Sequence, residues 1–338
     1  MRCWTTDGSG LDGLQMVERP GPSPGIGEVK VDVRAVSLNY RDLLVARGEY
    51  GGVQDPPIVA ASDMAGVVSE IGPEVTQLVA GDRVLNAPIK DWVAGQLTRK
   101  WSQSFVGGQG VDGVLAEQLV YPADALVKLP HHFDFSEGCT LTVAGLTAWA
   151  AVVTHGHTAP GEWVLVHGTG GVSLFAAQLA KSLGARVILT TSKQEKAQLV
   201  LQRIGVDHTI DYRNDGWPKE VRVLTDGHGV DVVVETAGGA TLDSSIQSCG
   251  YGARVGVIGV LDGLHATLSV FQLIMHQVTL RGIYMESRVE LQRLVQAVEA
   301  AQLRPWIDRV FEFQAANEAY KYLASGQHMG KVVIRRSG

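Results

Sequence analysis

Residues 163–193 read WVLVHGTGGVSLFAAQLAKSLGARVILTTSK, and this stretch decides the fold. The apolar run 163–167 predicts a buried strand, and residues 173–184 carry apolar side chains at helical spacing. A second apolar run, 185–191, predicts the next strand. Between the first strand and the helix lies a glycine-rich turn. This order of elements is the context in which such a turn binds the pyrophosphate of a dinucleotide.

The turn itself supplies the predicted phosphate-binding residues, which are Gly168, Gly170, Gly171 and Val172. Glycine lets the backbone approach the pyrophosphate closely, and the N-terminus of the following helix offers free N–H groups and the positive end of its dipole. Ser173 stands where a third glycine often stands, and it is small enough to keep the helix close to the strand.

The end of the second strand predicts which dinucleotide is bound. In NAD-binding versions an acidic residue there binds the ribose 2′-hydroxyl, but this chain has Thr190, Thr191, Ser192 and Lys193. Hydroxyl donors and a cation suit a 2′-phosphate, and Lys196 could add a second cation. The alternative is that Ser192 only caps a solvated helix. We expect NADPH rather than NADH.

The rest of the chain predicts two domains. Residues 1–125 are rich in β-branched residues, as in the alternating run EVKVDVRAVSLN (28–39), which predicts a mostly β domain. Apolar strands alternate with amphipathic helices after Pro130, which predicts a doubly wound parallel sheet. The last residues read helix, strand, helix, strand and are expected to return to the first domain. The predicted domains are therefore 1–126 with 286–338, and 127–285.

Composition limits the partners and the location. The 338 residues carry a net charge of −6, which argues against nucleic acid as a ligand. We identify no apolar run near the ~20 residues that span a bilayer and no apolar core of a signal peptide, so we expect a cytoplasmic protein without a membrane partner. Cys3, Cys139 and Cys249 are far apart and are expected to be reduced, buried thiols.

With VHGTGGV (166–172) after LTVAGLTAWAA (141–151), the chain resembles the medium-chain dehydrogenase/reductase superfamily over nearly its whole length. Within that superfamily it resembles the zinc-free quinone oxidoreductase group. The resemblance implies a Rossmann domain, a GroES-like catalytic domain and a substrate cleft between them. It also implies a homodimer formed through the edge of the Rossmann sheet near residues 253–260.

Zinc-dependent members of that superfamily hold their metal with Cys, His and a second Cys or an acid from three segments. The resemblance places those positions at Asn39, Ser62 and Val143. None of them is a good zinc ligand, and Asp63 alone does not make a site. Residues 85–112, where four cysteines of a structural zinc site would lie, contain no cysteine. We therefore expect no bound metal.

The stretch NYRDLLVARGEYGG (39–52) resembles a pattern shared by quinone oxidoreductases and medium-chain 2-enoyl thioester reductases. The resemblance implies that Tyr50 is a proton donor or orients the substrate, and that Asn39 faces the nicotinamide or the substrate. The alternative for Tyr50 is a packing residue at a turn. Asp42 is expected to cap a helix or to pair with Arg41 or Arg47.

The same resemblance assigns residues to the cofactor beyond the glycine turn. Those residues are Thr147, Lys196, Tyr212, Ile258, Tyr284 and Lys331. Glu286 is a departure, because relatives often have glycine there.

These features together predict an enzyme that uses NADPH to reduce a small quinone or an α,β-unsaturated carbonyl. Such acceptors need no metal Lewis acid, because charge delocalises onto a conjugated oxygen. The alternatives are a 2-enoyl thioester reductase, a zinc-free alcohol dehydrogenase-like protein and a non-catalytic NADPH-binding protein.

Overall fold

The computed structural model describes residues 1–336 and contains sixteen strands in that part of the chain. In chain order they are β1 (Arg2–Thr6), β2 (Gln15–Glu18), β3 (Glu28–Leu38), β4 (Ile58–Val59), β5 (Asp63–Ile71), β6 (Arg83–Asn86), β7 (Gln118–Pro122), β8 (Leu126–Lys128), β9 (Trp163–His167), β10 (Arg186–Thr190), β11 (His208–Ile210), β12 (Val230–Glu235), β13 (Cys249–Val257), β14 (Thr279–Gly282), β15 (Ile307–Glu312) and β16 (Lys331–Arg335).

The helices are α1 (Tyr40–Ala46), α2 (Arg99–Ser102), α3 (Phe135–Gly138), α4 (Leu146–Trp149), α5 (Gly171–Ser182), α6 (Gln194–Arg203), α7 (Trp217–Leu224), α8 (Thr241–Ser248), α9 (Val270–His276), α10 (Arg288–Ala300) and α11 (Ala316–Ala324). Wider π-type turns at Leu141–Gly145 and Ala150–Thr154 flank α4. Short 3₁₀ turns lie at Leu11–Gly13, Ala123–Ala125 and Phe313–Ala315.

The chain divides into two compact units. The first comprises Met1–Leu146 and Glu286–Gly338, and the second comprises Thr147–Met285. The first boundary of this division lies inside the helical stretch around α4, whereas the sequence places it at 126/127. The return to the first unit at Glu286 coincides with the predicted position.

The second unit is built on a six-stranded parallel sheet in the order β11-β10-β9-β12-β13-β14. Relative to its first strand this order is 3-2-1-4-5-6, the doubly wound Rossmann order. All five residues of β9 are buried, as expected for a strand covered on both faces. The predicted Rossmann fold is therefore confirmed. One detail is corrected: residues 253–257 belong to β13, an interior strand, and the edge strand next to it is β14.

The first unit is mostly β and is built around β3. This strand pairs antiparallel with β5, β7 and β16, and its burial alternates over its first residues as the sequence predicts. The tail strand β16 joins the sheet with Val332 opposite Leu38. This register brings Lys331, the first residue of β16, to the end of β3, where Asn39 begins the turn into α1.

One helical stretch corrects the sequence analysis. Phe135–Thr154 is 20 residues long and apolar enough in composition to cross a membrane, although the sequence analysis identified no such run. The structure buries 72% of its most apolar window inside the protein, as a core helix of a globular protein does. All three cysteines are free and buried, as predicted.

Candidate functional site

The glycine turn of the second unit leaves room above the N-terminus of α5. Gly168 has φ +74°, a left-handed conformation that favours glycine. Gly170, the residue that caps α5, has φ −76°, and a Cβ built on it would meet no atom within 4 Å. An ordinary residue would thus be tolerated at Gly170 by the protein alone. The turn therefore fits a phosphate group over the helix N-terminus, as the sequence predicts.

Ser173 has a second role beyond its small size. Its hydroxyl donates to the carbonyl oxygen of His167 at 2.6 Å, and Thr236 donates to the same oxygen at 2.7 Å. These bonds fix the carbonyl at the point where β9 enters the glycine turn. A third glycine at position 173 would leave one of these bonds unmade, so serine serves both the close packing and the hydrogen bonding.

A buried polar pair below the turn was missed by the sequence analysis. The imidazole of His167 contacts Thr190 Oγ1 at 3.1 Å and Ser245 Oγ at 2.8 Å, and it lies 3.4 Å from the carboxylate of Glu235. Burial lowers the pKa of His167, and the nearby Glu235 carboxylate opposes that change. The only sequence signal is that His167 and Glu235 each follow a run of at least three apolar residues at the end of a strand.

Glu235 anchors the turn that follows β12. Its Oε1 atom accepts hydrogen bonds from the backbone of Ala237 and Gly238 and from the hydroxyl of Thr241, each at 3.0 Å. Burial opposes ionisation of Glu235, but His167 and these donors together lower its pKa. The carboxylate therefore holds the ends of β9 and β12 together, where a doubly wound sheet binds its ligand.

The predicted 2′-phosphate residues gather at the end of β10. The hydroxyl of Tyr212 donates to Ser192 Oγ at 3.2 Å, and Lys193 caps α6. Lys196 lies in the first turn of α6. The nearby Asp211 forms a bidentate ion pair with Arg213, which lowers the pKa of Asp211 to about 2. Its negative charge is thus compensated.

The remaining cofactor candidates of the second unit lie on four segments. Thr147 is buried in α4 between the two π-type turns. Ile258 follows β13, and its N–H donates to the Glu235 carbonyl oxygen at 2.9 Å. Tyr284 follows β14 and is 40% exposed. Val172 lies in the first turn of α5.

The first unit holds Asn39, Tyr50 and Lys331. The ammonium nitrogen of Lys331 donates to the carbonyl oxygen of Leu38 and to Asn39 Oδ1, each at 2.6 Å. Lys331 is 4% exposed. Both of these hydrogen bonds lie within the first unit. Lys331, which the sequence assigns to the cofactor, therefore contacts the predicted catalytic residue Asn39.

Asn39 links Lys331 to a second polar pair. Its amide nitrogen lies 3.5 Å from Ser62 Oγ, and Ser62 donates to Asp63 Oδ1 at 2.6 Å. The N–H of Val143 donates to Asp63 Oδ2 at 3.1 Å. The fold thus brings positions 39, 62 and 143 to one place, as the resemblance implies.

Burial is the largest influence on the pKa values of the charged groups in this cluster. Burial raises the pKa of Asp63, and Lys331 opposes that rise. Burial lowers the pKa of Lys331, and Asp63 and then Asp42 oppose that change. Lys331 compensates the charge of Asp63, and Arg41 pairs with Asp42. Each of these groups is also hydrogen-bonded, which offsets part of the cost of removing it from water.

The donor set of this cluster does not fit zinc. The atoms available are an amide, a hydroxyl, a backbone N–H and one carboxylate, whereas catalytic zinc takes three imidazole, thiolate or carboxylate ligands. A lysine ammonium also lies against the amide oxygen. Within residues 1–336, no group of three His, Cys, Asp or Glu side chains could hold a metal ion.

Tyr50 is half-buried, and its ring lies 5.6 Å from the guanidinium carbon of Arg41. Arg41 donates to Asp42 Oδ1 at 3.1 Å and stacks on Phe105 at 3.9 Å. Asp42 also accepts a hydrogen bond from the N–H of Asn39 at 2.7 Å. The expected pairing of Asp42 with Arg41 is confirmed. Burial raises the pKa of Asp42 to about 6, although Arg41 opposes the rise.

Comparison with known protein families matches both units. Residues 25–131 match the alcohol dehydrogenase GroES-like domain, and residues 171–300 match the zinc-binding dehydrogenase family. The chain is 35% identical to a zinc-type alcohol dehydrogenase-like protein of Schizosaccharomyces pombe, over 97% of this chain and 96% of that protein. It is 30% identical to a 2-haloacrylate reductase of Burkholderia, over 92% of each. It also matches a polyketide synthase subunit of Mycobacterium tuberculosis at 32% identity, where it spans 14% of that longer protein.

Solved structures show the same architecture. One from Sinorhizobium meliloti, solved under the name of an alcohol dehydrogenase, has a TM-score of 0.92 and 39% identity, over 99% of this chain and 98% of that one. An NAD-dependent alcohol dehydrogenase has a TM-score of 0.90 and 32% identity, over 99% of both chains. A mycobacterial protein solved in complex with NADPH has a TM-score of 0.83 and 27% identity, over 99% and 100% of the two chains.

Proposed function

Because the chain belongs to the medium-chain dehydrogenase/reductase superfamily, we propose that it is a zinc-independent, NADPH-dependent reductase of quinones or α,β-unsaturated carbonyls. Its being an oxidoreductase of this superfamily follows from the comparisons; the cofactor, the metal independence and the acceptor are our proposal. The observation that carries it is the Asn39–Ser62–Asp63 cluster with the Lys331 ammonium, whose members hydrogen bond one another and include a single carboxylate, too few ligands for catalytic zinc.

The cofactor would be held by the second unit. The open turn at Gly168–Gly171 suits the pyrophosphate, and Ser192, Lys196 and Tyr212 suit the 2′-phosphate. When bound, NADPH supplies the hydride. The similarity to a protein solved with NADPH supports this choice, whereas the similarity to an NAD-dependent alcohol dehydrogenase makes the choice of dinucleotide the first point to test.

The first unit would act on the acceptor. Reduction of a conjugated acceptor places negative charge on an oxygen, and an amide N–H of Asn39 would hydrogen bond that oxygen. Tyr50 would supply the proton through its hydroxyl. The similarity to a 2-haloacrylate reductase, whose name describes reduction of an unsaturated acid, favours an activated carbon–carbon double bond as one acceptor.

The first experiment is a titration of the pure protein with NADPH and with NADH, followed by nicotinamide fluorescence. Turnover is then measured with 1,4-benzoquinone and with 2-cyclohexen-1-one, with and without a zinc chelator. We expect tighter binding of NADPH and turnover of an acceptor that the chelator does not change. Equal binding of NADH, or loss of turnover with the chelator, would overturn the corresponding part of the proposal.

A second candidate function is reduction of a 2-enoyl thioester, and the match to a polyketide synthase subunit favours it. Crotonyl-CoA separates the two candidates. Turnover of crotonyl-CoA far above that of the simple enone would favour the thioester, and oxidation of simple alcohols would favour a zinc-free alcohol dehydrogenase. Binding of NADPH without turnover of any acceptor would favour a non-catalytic role.

We also propose that the protein is a cytoplasmic homodimer. In the described part of the chain β14 pairs with β13 alone, so its outer edge is open. Exposed apolar side chains cluster on the neighbouring segments: Tyr251, Leu261, Leu264, Val270, Phe271 and Ile274. An apolar surface beside an open edge suits a second copy. Sedimentation of the wild type and of Phe271→Asp tests this: a dimer that becomes a monomer is expected, and a wild-type monomer would refute it.

A further inference from the structure

The buried ammonium of Lys331 has a specific place in the first unit. β16 pairs with β3 so that Val332 faces Leu38, and Lys331 consequently lies beside Asn39. A lysine that is 4% exposed loses most of its hydration. Burying this cation costs desolvation free energy, and an apolar residue at a buried position often gives equal or greater stability.

The contact fixes which way the Asn39 amide faces. An ammonium group donates hydrogen bonds and accepts none, so the amide atom 2.6 Å from Lys331 Nζ must be the oxygen. The amide nitrogen then faces Ser62 and Asp63. Its distance to Ser62 Oγ is 3.5 Å, at the long limit of a hydrogen bond. Asp63 meanwhile receives shorter bonds from Ser62 and Val143.

We propose that Lys331 is a positioning residue that holds the Asn39 amide in one orientation and polarises its N–H groups as donors. A cation on the oxygen of an amide draws electron density from its nitrogen, which makes each N–H a stronger donor. One N–H is directed towards Ser62 and Asp63, and the second N–H would stabilise the oxygen on which charge develops when the conjugated acceptor receives hydride. This inference rests on the proposed function, because it names the partner of Asn39 as an acceptor oxygen.

Asp63 compensates the positive charge of Lys331. Lys331 and Asp63 lie at opposite ends of the Asn39 amide, with the cation on its oxygen side and the anion on its nitrogen side. This arrangement aligns with the amide dipole, so both charges favour the same orientation. Without Lys331, the Asn39 amide oxygen would lose its ammonium partner and the nearby Asp63 carboxylate would be uncompensated. The Asn39 side chain would then no longer be held in this one orientation.

The test compares Lys331→Met and Lys331→Arg with the wild-type full chain. The control is Arg335→Met, which removes an exposed cation from the same strand without touching Asn39. Turnover is measured with 1,4-benzoquinone, and NADPH affinity by fluorescence. We expect Lys331→Met to lower kcat by about 10- to 100-fold, less than the loss of about 100- to 1000-fold that follows removal of an oxyanion donor itself, with KM and the NADPH Kd within about twofold. Lys331→Arg should recover part of kcat, and Arg335→Met should match the wild type.

A spectroscopic readout separates this inference from the proposed function. The side-chain amide signal of Asn39 is recorded in ¹⁵N-asparagine-labelled protein and assigned by its absence in Asn39→Asp. We expect Lys331→Met to shift that signal and Arg335→Met to leave it unchanged. If the wild type reduces no acceptor, the proposed function fails, but the shift still reports whether Lys331 polarises the amide.

Three results would overturn the inference. The first is an Asn39 signal that does not move in Lys331→Met, and the second is a kcat that stays within twofold of wild type. The third is a weakened NADPH affinity with unchanged kcat, which would make Lys331 a cofactor residue. If Lys331→Met does not fold, the double variant Lys331→Met/Asp63→Asn removes both charges and is measured instead, with Asp63→Asn alone as its reference.

Discussion

The ammonium nitrogen of Lys331 lies 2.6 Å from the amide oxygen of Asn39, although 292 positions separate the two residues in the chain. This bond connects the returning tail to the turn that carries the proposed substrate-binding amide. The resemblance places the zinc positions of zinc-dependent members at Asn39, Ser62 and Val143, and in this structure Asn39, Ser62 and the Val143 N–H belong to one hydrogen-bonded cluster around Asp63.

Gly170→Ala should separate cofactor binding from stability. The position has an ordinary φ and open space, so the folded protein is expected to be as stable as wild type or more stable by about 0.4–1 kcal/mol. The added methyl group would occupy the space proposed for the pyrophosphate, and the Kd for NADPH should rise at least about 10-fold. Thermal unfolding and fluorescence titration measure the two effects.

Two other glycines serve as controls for that variant. Gly168→Ala places alanine at φ +74° and should lose about 1 kcal/mol of stability in addition to cofactor affinity. Gly21→Ala lies in the first unit, where a Cβ would approach only Gln118, and should change neither quantity. Normal NADPH binding by Gly170→Ala would mean that the turn does not hold the pyrophosphate.

Ser192→Ala/Lys196→Ala should weaken NADPH binding by about 10-fold or more, because hydrogen bonds to a charged phosphate contribute roughly 1.5–3 kcal/mol when well formed. The Kd for NADH should stay within about twofold, because NADH lacks the 2′-phosphate. Lys219→Ala is the matched control, since it removes an exposed cation of the same unit on α7. Equal losses for both dinucleotides would place these residues outside the 2′-phosphate site.

Tyr50→Phe should lower kcat by about 100-fold if the hydroxyl delivers the proton, in the lower range of general acid catalysis. NADPH affinity should not change. Tyr40→Phe, an exposed tyrosine on the same unit, is the control. Rates in H₂O and D₂O with each variant provide the measurement. An unchanged kcat in Tyr50→Phe would assign the proton to water and leave Tyr50 as a packing residue at the turn.

Stability should fall as pH rises from about 4 to about 6. Burial raises the pKa of Asp42 to about 6 in the folded protein, above the value of about 3.9 expected in the unfolded chain. The folded state then binds the proton more tightly, so its advantage is complete below pH 4 and is lost as the carboxyl ionises. The loss is on the order of 2–3 kcal/mol, and the raised pKa of Asp63 acts in the same direction.

Asp42→Asn tests that assignment. The variant cannot titrate, so its midpoint of thermal unfolding should fall less steeply between pH 4 and 6 than that of wild type. Asp124→Asn, an exposed carboxyl on the same unit, should keep the wild-type slope. Parallel curves for wild type and Asp42→Asn would show that Asp42 does not titrate in this window.

The sequence alone determined the Rossmann unit and the mostly β unit. The apolar runs, helical periodicity and glycine turn of residues 163–193 are short-range signals, and β9, α5 and β10 lie close to where those signals place them. The proposed 2′-phosphate residues Ser192 and Lys196 follow from the same local pattern. Local sequence could predict these features because each depends on residues within a few turns of the chain.

Tertiary structure alone decided the partners of the buried polar groups. Lys331 meets Asn39, and His167 meets Glu235, because strands distant in sequence pair side by side. Neither contact leaves a periodic signal, since one polar residue at the end of an apolar strand looks the same with or without a partner. The edge position of β14 likewise follows from the order of strands in the sheet. Long-range pairing is a property of the whole fold, and only the assembled sheet specifies it.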